Sequence, residues 1–394
     1  MTSAQRSAAS LAAPDSFSSP RRRVVAELVT VGVGCMLFAA AGALNVEWQT
    51  RRFGLEDGRA HVVLIERAVL VVIAIAVVTV LRPLIGRWTT RVGGVEAIAT
   101  CARIGLAVVL ALVGSEVALR ILGLPRPHGV NRTDALAEPD ARHGWLFKAS
   151  KSITIELGER PIRYDFDAER DRAPAVEAVS DPARPSLLFV GESIMSGHGL
   201  TYEESLPAIV GEALDLQVVN LAVDGYAADQ AFLRLFDALP RFEHPVAIVT
   251  LFLPLMVNRI DRVDHQRITF DGLEVKLAPP GFVQSLRLTQ TFSEWFDFHP
   301  EWAIQTAATV FQQTARLAKE RNARAIFVTP YLGTDWPRRD GYLIQELLGR
   351  QGLTVVNPRF GFEPMPGDSH PNPASTRRLA EAVVAELRKE LAGP

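Results

Sequence analysis

The chain has 394 residues, 48% of them apolar, and a formal net charge of −2. That balance gives no electrostatic case for nucleic acid. The two cysteines, Cys35 and Cys101, both lie in apolar runs, which excludes a disulfide framework or a Cys/His zinc cluster.

At this length two to three domains are expected. Residues 1–23 are rich in Ser, Ala and Pro, ending in Arg21-Arg22-Arg23, and are predicted to be a disordered cytoplasmic tail. Residues 24–124 hold three long apolar runs: Val24–Val46, His61–Leu81 and about Ile98–Leu122. Each is long enough to span a bilayer, which takes about 20 residues. In the third run Glu116 and Arg120 stand four apart and can pair. The arginines at 21–23 and at 82, 87 and 91 place both flanks in the cytoplasm. The third span then delivers everything after about Leu124 to the outer side. Arg51, Arg52 and Arg59 in the first loop weaken that bias.

Leu124-Pro125-Arg126-Pro127 ends the third helix. Residues 125–185 are predicted as a linker with short strands, Ser152–Leu157 and Pro161–Phe166. Trp145 has two readings there: stacking on a sugar, or anchoring a small strand pair. Residues 186–394 alternate strand and helix. Strands are predicted at 187–190, 217–221, 246–253, 325–329 and 354–356, and helices at 202–214, 229–239, 301–321, 342–350 and 374–391. Such alternation argues for a parallel sheet covered by helices. Residues 261–295 read as an irregular, aromatic-rich insertion, a candidate wall or lid.

Two stretches carry chemistry. Leu187–Gly199, LLFVGESIMSGHG, reads as a buried strand, a turn and a helix start. Ser193 therefore sits at the C-terminal mouth of a strand, where ligands bind in open α/β sheets. A serine there is a nucleophile if a base takes its proton. The stretch Gly367-Asp368-Ser369-His370-Pro371-Asn372 offers the base. Asp368 and His370, two apart, share one side of an extended segment. Asp368 can then fix the imidazole tautomer while the other nitrogen faces Ser193. His198, five residues after Ser193, is a rival base and reads as a rim residue. The elbow Gly-x-Ser-x-Gly is absent, because position 195 is Met.

These stretches resemble the GDSL/SGNH hydrolase family over roughly residues 140–392. Gly191-Glu192-Ser193 with Gly197 is similar to its first block, with Glu192 in place of Asp. Asn220–Gln230 resembles the second block, and Gly225 matches its backbone oxyanion donor. Gly367–Asn372 resembles the last block. The third block, which supplies an oxyanion asparagine, is matched only approximately by Asn258 in LFLPLMVNRID.

The resemblance implies a flavodoxin-like, three-layer α/β domain with a parallel sheet, preceded by transmembrane helices. It implies a catalytic triad of Ser193, His370 and Asp368 and an oxyanion hole from Ser193, Gly225 and Asn258. Nothing in the sequence calls for a metal or an organic cofactor. The activity implied is that of a membrane-anchored serine esterase. It would act on O-acetyl or related esters of envelope or exported polysaccharide, from the outer face of a bacterial-type cytoplasmic membrane. An O-acyltransferase served by a multi-span acyl-donor protein, and a non-catalytic glycan-binding module, are the alternatives.

Overall fold

A computed structural model describes residues 19–43, 60–91, 94–124, 135–157, 160–260, 265–271, 274–279, 281–282, 285–296, 301–330, 340–360 and 362–392. The chain divides into two compact units, Met1–Gln49 with Asp57–Gly114, and Thr50–Glu56 with Ser115–Pro394.

The first unit is helical: α1 (Ser19–Ala43), α2 (Ala60–Ala76), a π turn at Val77–Leu81, α3 (Arg82–Arg91) and the first part of α4 (Gly94–Ile121). Among the described residues, two helical stretches are long and apolar enough to cross a membrane, Arg23–Gly42 and Arg67–Trp88. Most of their apolar side chains are exposed, among them Leu28, Met36, Phe38, Val72 and Ile75. The second stretch runs past the predicted boundary at Leu81. The π turn stands just ahead of Pro83, whose missing N–H interrupts a regular ladder. Near the start of α1, Glu27 accepts from Arg23 at 2.8 Å and from Arg82 at 3.2 Å. The third predicted span falls in α4, where Leu106, Val109, Leu110, Val113 and Val117 are exposed. Ser19–Arg23, expected in the disordered tail, are already helical. The rest of that tail and the first loop's arginines lie outside the described residues.

The second unit is built on an eight-stranded sheet. Two strands stand outside it as a hairpin, β1 (Ala137–Asp140) and β2 (Gly144–Phe147). The sheet uses β3 (Lys151–Leu157), β4 (Arg160–Phe166), β5 (Arg172–Ala173), β6 (Ser186–Val190), β7 (Gln217–Asn220) and β8 (Pro245–Leu251). A second hairpin, β9 (Arg267–Asp271) and β10 (Glu274–Ala278), is separate. β11 (Arg324–Val328) and β12 (Thr354–Val356) complete the sheet in the order β12-β11-β8-β6-β7-β5-β4-β3.

The strands β6, β7, β8, β11 and β12 are parallel and lie in the doubly wound order 2-1-3-4-5. The order reverses between β6 and β8, so the end of β6 is the switch point. Burial on both faces explains why β6 and β8 read as near-continuous apolar runs, broken only by Ser186 and Thr250.

The helices are α5 (Ser193–Ser196), α6 (Leu206–Leu214), α7 (Ala228–Ala238), α8 (Pro254–Arg259), α9 (Arg287–Phe296), α10 (Glu301–Glu320), α11 (Asp340–Leu347) and α12 (Pro373–Leu391). Helices α6 and α12 pack together, and so do α7 and α10. Along α10 the buried residues Ala303, Ala307, Val310, Phe311, Thr314 and Ala318 keep helical spacing. Phe311 meets Phe252 and Phe327 edge-on, closing the core over β8 and β11.

Two expectations change. The strands predicted at 152–157 and 161–166 exist, but they are no part of a linker. With β5 they extend the central sheet antiparallel, beside β7. The insertion at 261–295 is also more regular than its sequence suggested, carrying the β9–β10 hairpin and α9. At the start of α9 the Glu116 carboxylate accepts from the backbone N–H groups of Arg287 and Leu288, each at 3.0 Å. Arg120 holds Glu116 at 2.7 Å, the pairing expected from their spacing.

Candidate active site

The site forms where β6 ends at the switch point. Glu192 is extended and caps α5, accepting from Ile194 N–H at 3.1 Å. Gly197 closes α5 in the left-handed region, with φ +82°. A side chain there would strike the Arg172 guanidinium at 2.5 Å, so glycine is required twice over. Arg172 is buried and donates to the carbonyls of Ser196 at 2.6 Å, Gly197 at 2.5 Å and Leu200 at 2.5 Å. Asn220, at the end of β7, donates to Met195 O at 3.2 Å. Strands β5 and β7 thus pin the turn that carries Ser193.

The 367–372 loop reaches this turn from ahead of α12. His370 Nε2 lies 2.7 Å from Ser193 Oγ, and His370 Nδ1 lies 2.5 Å from Asp368 Oδ1. The same Asp368 oxygen also accepts from the His370 backbone N–H at 2.9 Å. These bonds from His370 outweigh burial and hold the Asp368 carboxyl well below the ordinary carboxylate range. The loop is anchored by the Asn372 cap on Ser375 N–H, at 2.8 Å.

A second carboxylate meets the serine. Ser193 Oγ is 2.7 Å from Glu192 Oε2, and Arg259 Nη1 is 3.3 Å from that same oxygen. The hydroxyl has one proton and two acceptors, Glu192 and His370.

Gly225 stands in the loop after β7, with φ +80°. Tyr226 N–H closes a turn on Val223 O at 3.3 Å, and Val223 N–H holds the loop to Gly191 O at 3.3 Å. The β1–β2 hairpin clamps the loop from outside. Trp145 Nε1 donates to Asp224 O at 3.0 Å, and Tyr226 OH donates to Trp145 O at 2.6 Å. Trp145 is 1% exposed, so it anchors and has no face for a sugar. Asn258 is half-buried on α8, next to Arg259, at the same end of the sheet as Ser193.

The sequence reading missed a partner of His198. That ring does not point at Ser193. Its Nδ1 lies 2.7 Å from Asp224 Oδ2, and its Nε2 faces Asp368 Oδ2 at 3.8 Å. The His198 and His370 rings stand 4.6 Å apart, centre to centre. Asp224 and His198 are 26 residues apart, so no local spacing reveals the pair. The cue available was an acid inside the second block, in Val223-Asp224-Gly225.

No family model and no curated protein matches this sequence. Among solved structures, a carbohydrate esterase of family two from Cellvibrio japonicus is 14% identical, with TM-score 0.35, covering 55% of this chain and 63% of that one. This chain is similar to GDSL-type proteins of known structure. A member of the lipolytic G-D-S-L family from Veillonella parvula DSM 2008 is 13% identical, with TM-score 0.31, covering 51% of this chain and 96% of that one. A salicylyl-acyltransferase from a tetracycline biosynthetic pathway is 13% identical, with TM-score 0.32, covering 55% and 56%.

Proposed function

We propose that the chain is a membrane-anchored serine esterase with Ser193, His370 and Asp368 as its triad. The observation that carries this reading is the continuous path from Ser193 Oγ through His370 to Asp368, with contacts of 2.7 and 2.5 Å. Ser193 Oγ attacks the acyl carbon while His370 Nε2 takes its proton. The oxyanion is received by the N–H groups of Ser193 and Gly225, with Asn258 from α8 as a side-chain donor. His370 then protonates the leaving alcohol as the ester C–O bond breaks. Water, deprotonated by His370, attacks the acyl-enzyme and releases the acid and Ser193.

The anchor is the helical region 24–124, read as three spans, with domain 186–394 and its preceding strands outside the cytoplasm. The two apolar helices support an anchor, Arg21–Arg23 support a cytoplasmic N-terminus, and the exposed apolar residues of α4 support the third crossing this placement needs. O-acetyl groups on envelope or exported polysaccharide are the substrates such a placement offers. Transfer of the same acyl group to a second alcohol uses the same residues. In that case a multi-span membrane protein supplies the acyl group.

The test uses the full-length protein in detergent with a chromogenic phenyl acetate and a serine-directed fluorophosphonate. Turnover and labelling that Ser193→Ala abolishes are expected. Undiminished turnover or labelling in Ser193→Ala, or an unlabelled wild type, refutes the triad assignment.

A further inference from the structure

Asp368 spends one oxygen on His370, which gives Oδ1 both its backbone N–H and its ring N–H. The other oxygen, Oδ2, faces His198 Nε2 at 3.8 Å. His198 is held from behind by Asp224, which is 4% exposed and also accepts from Ser196 Oγ. We propose that the His198–Asp224 pair is a positioning device for the triad: it braces Asp368 from the side away from its His370 contact and so fixes Asp368 beneath His370. The proposal rests on the esterase reading above.

Geometry and charge agree on this role. The backbone places His198 where it stands: its N–H donates to Ser193 O at 2.9 Å, and Gly199 follows with φ +74°. A Cβ on Gly199 would fall 2.1 Å from the Met365 side chain, so the turn closes tightly against the segment before the Asp368 loop. Burial opposes charge on His198. The negative charge and hydrogen bond of Asp224, with Asp368 and Glu192 beyond, outweigh it and raise His198 above the ordinary histidine range. Burial likewise pushes Asp224 up, and His198 and Ser196 more than cancel it, keeping Asp224 ionised. The groups facing His198 are Asp224 from the loop after β7, Asp368 and His370 from the loop before α12, Glu192 from the turn after β6, and Tyr164 from β4. Tyr164 carries the Arg172 guanidinium over its ring at 4.6 Å.

The raised range of His198 keeps it charged, and its hold on Asp368 in place, at neutral pH. As pH rises through that raised value the imidazolium is lost and Asp368 loses its brace, so positioning fails on the alkaline side.

The experiment follows fluorophosphonate labelling of Ser193 between pH 5 and 9, on full-length protein in detergent. Wild type is compared with His198→Gln and Asp224→Asn. Wild-type labelling is expected to fall on the alkaline side as His198 loses its charge. His198→Gln labels slowly at neutral pH and lacks that fall, and in Asp224→Asn, where His198 loses the partner that keeps it charged, the fall moves to lower pH. A folded His198→Gln that labels as fast as wild type at neutral pH, or that keeps the wild-type fall, overturns the proposal. If wild type does not label at all, the esterase reading fails first, and this proposal fails with it.

Discussion

Replacing Trp145 by Phe probes how the proposed oxyanion loop is held. The change keeps an aromatic ring near Tyr226, which now meets the indole edge-on at 5.4 Å. It removes the one indole N–H, which donates to Asp224 O at 3.0 Å. That carbonyl belongs to the residue before Gly225. A buried carbonyl stripped of its donor costs roughly 1–3 kcal/mol, so about 2 kcal/mol of stability is expected to go. For a unit of this size that is a fall in melting temperature of roughly 4–8 °C. The second effect is local. With its clamp gone the 223–226 turn drifts, and one proposed oxyanion donor, Gly225 N–H, loses alignment. A fully lost donor costs roughly two to three orders of magnitude in kcat, so a loosened one is expected to cost about tenfold. The assays are a melt in detergent and steady-state hydrolysis of a phenyl acetate. KM should change little, because the donor acts on the transition state. A variant that melts lower but keeps full kcat refutes the link between the hairpin and the oxyanion turn. One that loses neither refutes the whole account of Trp145.

Glu192→Asp withdraws the carboxylate by one methylene from Ser193 Oγ, now 2.7 Å away, and leaves the proton to His370. A hydrogen bond to a charged group is worth roughly 1.5–3 kcal/mol, so fluorophosphonate labelling at pH 7 should quicken about tenfold; slower labelling would mean that Glu192 assists the reaction. Asp167 is a buried carboxyl pushed up to about 6 by burial and by the charge of Asp171. Its folded-state value lies above the unfolded one, so stability is greatest below about pH 4 and is lost as pH rises through about 6. Asp167→Asn should therefore stabilise by up to about 3 kcal/mol at pH 8, at 1.36 kcal/mol per pH unit, and by nothing near pH 4. Denaturant melts at the two pH values check this, and a gain that does not change with pH would rule it out.

The parts of this architecture legible in sequence are those encoded locally. The strand Leu187–Val190 needs only an unbroken apolar run, and Asp368 with His370 needs only a spacing of two. The helix Glu301–Glu320 shows its buried stripe directly. What was not legible depends on partners far along the chain. The strands at 151–157 and 160–166 look like surface pieces because their outer residues are exposed, and only their pairing shows that they widen the main sheet. The β9–β10 hairpin had a local cue in the sequence, a glycine at position 272 directly after Asp271, the residue that pairs with Glu274. Trp145 could be placed only once Asp224 was known to stand above it. His198 reads as a rim residue until Asp224 and Asp368 are brought to either side of it.

The two halves of the proposed nucleophile–base contact are synthesised far apart in time. Ser193 and His370 are separated by 177 positions, and between them the chain must lay down β7, β8, β11 and β12. At roughly 5–20 residues per second, the serine exists for about 10–35 s before its base has been made. Throughout that interval the hydroxyl has the neighbouring Glu192 as its partner and no imidazole. On the proposed topology, a nascent chain crossing the membrane carries an unarmed serine past every ester it meets. It becomes reactive only when the loop ahead of α12 closes onto a finished sheet.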